Sequence, residues 1–65
     1  MKILINGLHK DVTAQKLGAI LLEAGYGNMR VATAVNGGFV AVEQRKEYEI
    51  EAGDQVEIVA PRQGG

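Results

Sequence analysis

Ile3-Leu4-Ile5-Asn6-Gly7-Leu8 opens the chain, and the segment from Thr13 to Gly25 follows it. Together these two stretches decide the fold. Ile3-Leu4-Ile5 is an aliphatic run of the kind that forms a strand. Asn6-Gly7 supplies the two positive-φ residues of a tight hairpin turn, so Leu8 to Val12 is expected to pair back antiparallel. The apolar period then changes. Leu17, Ile20, Leu21 and Ala24 fall at i, i+3, i+4 and i+7, which puts them on one face of a helix. Thr13 is expected as its N-cap, because a threonine hydroxyl accepts from free N–H groups of a first turn. Val12 and Leu17 are placed to form a hydrophobic staple. Lys16 and Glu23 sit off the apolar face, and Gly25 is expected to end the helix in the left-handed conformation. Gly18 goes against the pattern, since glycine inside a helix costs up to about 1 kcal/mol relative to alanine. It is expected to let the helix approach the sheet closely.

Beyond the helix the period returns to two. Val31, Thr33 and Val35 alternate with Ala32 and Ala34, which reads as a strand. Asn36-Gly37-Gly38 is a second hairpin signal, with Phe39 to Val42 as the return strand. Glu43 to Lys46 is expected to make a brief helical turn, and Tyr48 and Ile50 to anchor a surface crossing. Glu51-Ala52-Gly53-Asp54 reads as a turn, with Asp54 fixing it. Gln55 to Ala60 is the last strand, stopped by Pro61. The order is ββαββ, a connection, then β: one amphipathic helix on a sheet of four to five strands, a two-layer α+β domain. The helix has room to cross the sheet, so the first and last strands can lie side by side in its middle. That is the β-grasp, or ubiquitin-like, arrangement. Residues 1–61 are read as the domain and residues 62–65 as a tail.

The chain has 65 residues, no cysteine, one histidine and a formal net charge of −1. This length suits one small domain with a modest core. Without cysteine there is no disulfide, thiolate metal site or thiol nucleophile, and a reducing cytoplasm fits that composition. His9 alone cannot build a metal site. The charge balance argues against nucleic acid as the main partner, and no apolar run approaches the roughly 20 residues of a membrane span. Met1-Lys2-Ile3-Leu4-Ile5 is not expected to act as a signal peptide. No triad, carboxylate pair or metal cluster can be read from the residues, so a catalyst is not expected.

The candidate site is the end of the chain, Arg62-Gln63-Gly64-Gly65. A carboxylate is a poor electrophile and needs activation, usually as an acyl adenylate. Two terminal glycines leave that carboxylate unhindered and give it backbone angles closed to other residues. Pro61 to Gly65 spans at most about 17 Å extended, enough to enter a deep cleft. The expectation is a compact domain that holds Gly65 out for chemistry inside another protein. On the last strand Val59 should point opposite to Val56 and Ile58. It is expected to join Phe39, Ala32 and Ala34 in a docking patch on the open sheet face.

Several stretches resemble the sulfur carrier family of thiamin biosynthesis, ThiS. They are Val35-Asn36-Gly37-Gly38-Phe39-Val40, Glu51-Ala52-Gly53-Asp54-Gln55-Val56-Glu57-Ile58-Val59 and Gln63-Gly64-Gly65. Ile3-Leu4-Ile5-Asn6-Gly7 also fits the family's opening, so the resemblance covers essentially the whole chain. Ala41 departs from it, standing where family members often carry proline. The resemblance implies that a ThiF-type enzyme adenylates Gly65 with ATP, so that ATP serves the partner and no cofactor is bound here. It implies further that sulfur from a cysteine desulfurase relay displaces AMP and leaves a thiocarboxylate. A ThiG-type thiazole synthase would then accept the sulfur. The carrier would be a co-substrate, a monomer on its own. Rival readings are a sulfur carrier for molybdopterin or for tRNA thiolation, a ubiquitin-like protein modifier, and a plain interaction domain.

The remaining polar residues carry bland expectations. His9 should lie on the surface of the second strand, and Tyr26 should close the edge of the core. The charges from Glu43 to Glu49 should form a solvated face. Arg62 is a solvated residue of the tail or steers it toward acid or phosphate.

Overall fold

The computed structural model describes residues 1–60. Five strands and two helices follow in the order β1 (Lys2–Ile5), β2 (Leu8–Asp11), α1 (Leu17–Glu23), β3 (Ala32–Val35), β4 (Gly38–Val40), α2 (Val42–Arg45) and β5 (Gln55–Val59). They form one mixed sheet of strand order β2-β1-β5-β3-β4. β1 and β5 run parallel in its middle, and every other pairing is antiparallel. First and last strands are thus neighbours, with α1 crossing between them, which is the β-grasp topology expected from the element order.

Both hairpins turn as Asn-Gly demands. Asn6 and Gly7 take φ of 52° and 83°, and Asn36 and Gly37 take 50° and 85°. Mirror-image turns of this kind match the right-handed twist of the strands they join. The core lies between α1 and one face of the sheet. Leu17, Ile20 and Leu21 of the helix pack with Ile3, Ile5, Val35, Val40, Val56 and Ile58 of the strands, and Val12, Val31 and Ile50 close it from the connections. Thr33 is the one buried polar residue among those described. Its hydroxyl donates to the Val40 carbonyl at 2.8 Å and accepts from Arg45 Nε at 3.0 Å.

The helix starts later than expected. Thr13 does not cap it; the N-cap position is Lys16, with no side-chain hydrogen bond. The reason is competition for backbone. Residues 15–17 pair with 48–50: Ile50 N–H donates to the Gln15 carbonyl and Leu17 N–H to the Tyr48 carbonyl, both at 2.8 Å. The bridge holds Lys16 extended, at φ −94° and ψ 143°, so the helix begins only at Leu17. Thr13 instead meets the far end of α1, where Glu23 accepts from its N–H and hydroxyl and from the Ala14 N–H. The C-terminus follows expectation. Gly25 sits at φ 94°, Gly25 N–H donates to the Leu22 carbonyl, and Tyr26 N–H reaches the Leu21 carbonyl at 2.8 Å. That is a Schellman closure, with half-buried Tyr26 against the core.

Three smaller expectations are corrected. The return strand ends at Val40 and Val42 begins α2, so the helical turn starts one residue before Glu43. Ala41 N–H donates to the Gln44 side chain at 3.2 Å, which starts that turn. Ile50 anchors the crossing, whereas Tyr48 is exposed and contributes through its backbone carbonyl. Gly18 does not face the sheet: a Cβ there would meet the Arg45 carbonyl at 3.5 Å, an ordinary contact with the end of α2.

Candidate functional site

β5 is the strand that leads into residues 61–65, and it is held at both ends by side-chain amides. The parallel ladder of β1 with β5 stops at Ile5 opposite Val56, with Asn6 N–H donating to the Val56 carbonyl at 2.9 Å. The Asn6 side chain carries the pairing on. Its Nδ2 donates to the Ile58 carbonyl at 3.0 Å, and Ile58 N–H donates to its Oδ1 at 2.8 Å. One amide thus does for Ile58 what a further strand residue would do. At the start of β5, Asn36 acts in the same manner. Gln55 N–H donates to Asn36 Oδ1, and Asn36 Nδ2 donates to Asp54 Oδ1, both at 3.0 Å. The other Asp54 oxygen accepts from Glu51 N–H at 2.9 Å, which fixes the turn as expected of Asp54.

The face of the sheet away from α1 is open. Val56 and Ile58 are buried, while Val59 is 63% exposed and Phe39 is 74% exposed. The register places Val59 opposite Ala32, and Ala34 opposite Phe39. Ala32 is exposed and Ala34 half-buried. The four expected residues therefore share one face, in two adjacent rows across β4, β3 and β5. Glu57 lies opposite Ala34 in the Phe39 row, so a carboxylate interrupts the apolar surface. Sequence reading missed Glu57, although its odd position beside Val59 gave the needed signal. A hollow of about 260 Å³ opens beside it, between β1 and β5, lined by Leu4, Asn6 and Gln55 among others.

Arg62, Gln63, Gly64 and Gly65 lie outside the described residues, as does Pro61 at the expected domain boundary. His9 is exposed on β2, opposite Leu4. The segment from Glu43 to Glu49 is a solvated face except at Arg45. That guanidinium is half-buried and donates to Thr33 Oγ1 and, at 2.6 Å, to the Val31 carbonyl. It ties α2 to β3 and is structural. Among the described residues no group of three His, Cys, Asp or Glu side chains converges to hold a metal ion. None of their helices is long and apolar enough to cross a membrane. Glu23, at the end of α1, accepts from two backbone N–H groups. The Ala14 N–H, then the Thr13 N–H, hold its carboxyl below the usual glutamate value.

The fold and this surface define a class: a β-grasp domain with an exposed apolar face beside the strand that leads into residues 61–65. Residues 3–65 match the ThiS family, and the chain belongs to that family. A crystal structure of the thiamine biosynthesis protein ThiS from Geobacter metallireducens is similar over 100% of both chains, with a TM-score of 0.84 at 22% identity. That likeness establishes the β-grasp fold. No curated protein matches the chain.

Proposed function

We propose that this chain is the sulfur carrier of thiamin thiazole synthesis, with the Gly65 carboxylate as its working group. The carboxylate attacks the α-phosphorus of ATP in a ThiF-type enzyme, and pyrophosphate leaves. A persulfide supplied by a cysteine desulfurase relay then attacks the acyl carbon, and AMP departs with the bonding pair. A thiol of the relay cleaves the acyl disulfide so formed, itself ending in a disulfide with the persulfide's cysteine. The resulting thiocarboxylate gives its sulfur to a ThiG-type thiazole synthase. The chain supplies no catalytic group in this scheme. It presents the acyl carbon and is recognised.

Membership of the ThiS family over residues 3–65 is the observation that carries this reading. The open face supports it: Phe39, Ala34, Ala32 and Val59 form an apolar platform on and beside β5. A partner seated there would lie next to the root of the tail. Arg62, Gln63 and Gly64 would then thread toward the partner's active site, with glycine leaving the channel free of Cβ atoms.

The test is the intact mass of the protein from cells starved of thiamin, with and without a thiol-alkylating reagent. A species heavier by the sulfur-minus-oxygen difference, alkylatable and localised to Gly65, is expected. An unmodified end after incubation with the activating enzyme and ATP would overturn the proposal. Higher-mass adducts joined through Gly65 to lysine would identify a protein modifier instead.

A further inference from the structure

The opposite side of the molecule carries a second surface. Between α1, the loop from Gly25 to Val31 and α2 lies a groove of about 490 Å³. Its floor holds three exposed apolar side chains: Leu22 at 68%, Val42 at 66% and Met29 at 50%. Its lining includes Lys16, Arg45 and Lys46 and no acidic residue. An adjoining hollow shares Met29, Val42 and Arg45 with it and adds Arg30. Arg45 is held by Thr33 and the Val31 carbonyl and Lys16 by Glu49, which leaves Arg30 and Lys46 as the cations this surface offers a partner. Glu43 and Glu47 neighbour Val42 and Lys46 in the chain but line neither hollow. Glu23 accepts from Thr13 and Ala14, and Glu49 lies 3.9 Å from Lys16. Arg30 and Lys46 have no ion-pair partner among the described residues.

We infer that this groove is a docking site for a partner protein's acidic peptide segment that inserts one bulky apolar side chain. The inference goes beyond the proposed carrier function and stands independently of it. Charge complementarity selects the occupant: carboxylates flanking the insertion meet Arg30 and Lys46, while the side chain covers Leu22, Met29 and Val42. An apolar floor also disfavours a bare phosphate, whose recognition rests on converging N–H groups and charge. Because α1 and the sheet separate this groove from Phe39 and Val59, a partner held here leaves the open face free. Two proteins can then hold the domain at once.

The experiment is a titration of the ¹⁵N-labelled full chain, followed by amide shifts. The probe is the hexapeptide Glu-Glu-Leu-Phe-Glu-Glu, blocked at both ends, beside its counterpart with lysine for every glutamate. The acidic peptide is expected to move the amides of Leu22, Met29, Val42 and Arg45, with a dissociation constant on the order of 100 μM. High salt should weaken it, and R30E/K46E should weaken it roughly tenfold or more. Both substituted sites are exposed. Leu22→Ser tests the apolar half at another exposed position and is expected to weaken binding as well. Absence of shifts, or equal shifts with the lysine peptide, would overturn the inference. So would shifts confined to Ala34 and Phe39. Pyrophosphate reproducing the pattern would mean an anion site only. Concentration-dependent shifts without peptide would mean that a second copy, through its exposed Glu47-Tyr48-Glu49, is the occupant.

Discussion

The two hairpins use the same device and differ in what it secures. Each turns on an Asn-Gly pair in the left-handed region, and each asparagine turns its amide onto β5. Asn36 works at an exposed site, at the beginning of β5, within a network that includes Asp54 and Glu51. Asn6 works alone, through partly buried bonds although the residue itself is exposed, fifty-two residues away in sequence from Ile58. It saturates both backbone groups of that residue where β1 has already ended. The turn chemistry is local and interchangeable, whereas the clamp is tertiary. One dipeptide therefore carries different weight in the two places.

The largest expected effect separates the two asparagines. Asn6→Ala forces alanine into the left-handed region and strips both partners from Ile58, for a loss of about 2–4 kcal/mol by denaturant unfolding. Asn36→Ala exposes its freed groups to water, and about 1–2 kcal/mol is expected. Equal losses would break the comparison. Asn6→Gly and Asn36→Gly keep the turn while removing the amide, so any difference between them belongs to the clamp.

Next come the turn glycines. Gly7 and Gly37 have open space around a would-be Cβ, and both have φ above 80°. Gly7→Ala and Gly37→Ala should therefore cost about the same, roughly 1–2 kcal/mol each. Calorimetric melting would check this, and unequal shifts would show that the turns themselves differ. Gly18 supplies the contrast. It sits in a helix with only ordinary contacts to Arg45, so Gly18→Ala should stabilise by up to about 1 kcal/mol. Destabilisation would mean that α2 cannot give way to the added methyl.

The smallest effect concerns Glu23, another side chain that holds distant backbone N–H groups but does so in full contact with solvent. Its folded carboxyl titrates below the ordinary value, so its contribution is present above the unfolded pKa. It is lost as pH falls through the folded one. Glu23→Gln should lower stability at neutral pH and flatten its decline on the acid side. An unchanged acid limb in a pH series of unfolding curves would show that the exposed clamp is inert.

Both hairpins, Leu17, Ile20 and Leu21 on the apolar face of α1, the Gly25 closure and the outward Val59 were legible in the sequence, whereas Ala24, expected on that face, is the exposed C-cap. Each follows from spacing or from one residue's backbone freedom within a few positions. The start of α1 was not. Thr13 is a sound cap by local rules, but the backbone of residues 15–17 is claimed by residues 48–50. Arg45 was read as solvated because nothing in its neighbourhood shows that Thr33 will need a donor twelve residues away. Of the candidate site, Ala32, Ala34, Phe39 and Val59 were placed by alternation, and the register then set them side by side with Glu57 among them.

The sequence by itself determined the element order, the two turn types and which side of β3 and β5 faces the core. Those depend on a period of two or 3.6 residues and on the few residues that tolerate positive φ. Only the tertiary structure decided that Asn6 reaches Ile58, that Glu23 holds Thr13, and that α1, α2 and the loop between α1 and β3 leave a basic apolar groove. Such contacts join residues far apart in the chain, and their partners are chosen by packing rather than by local preference.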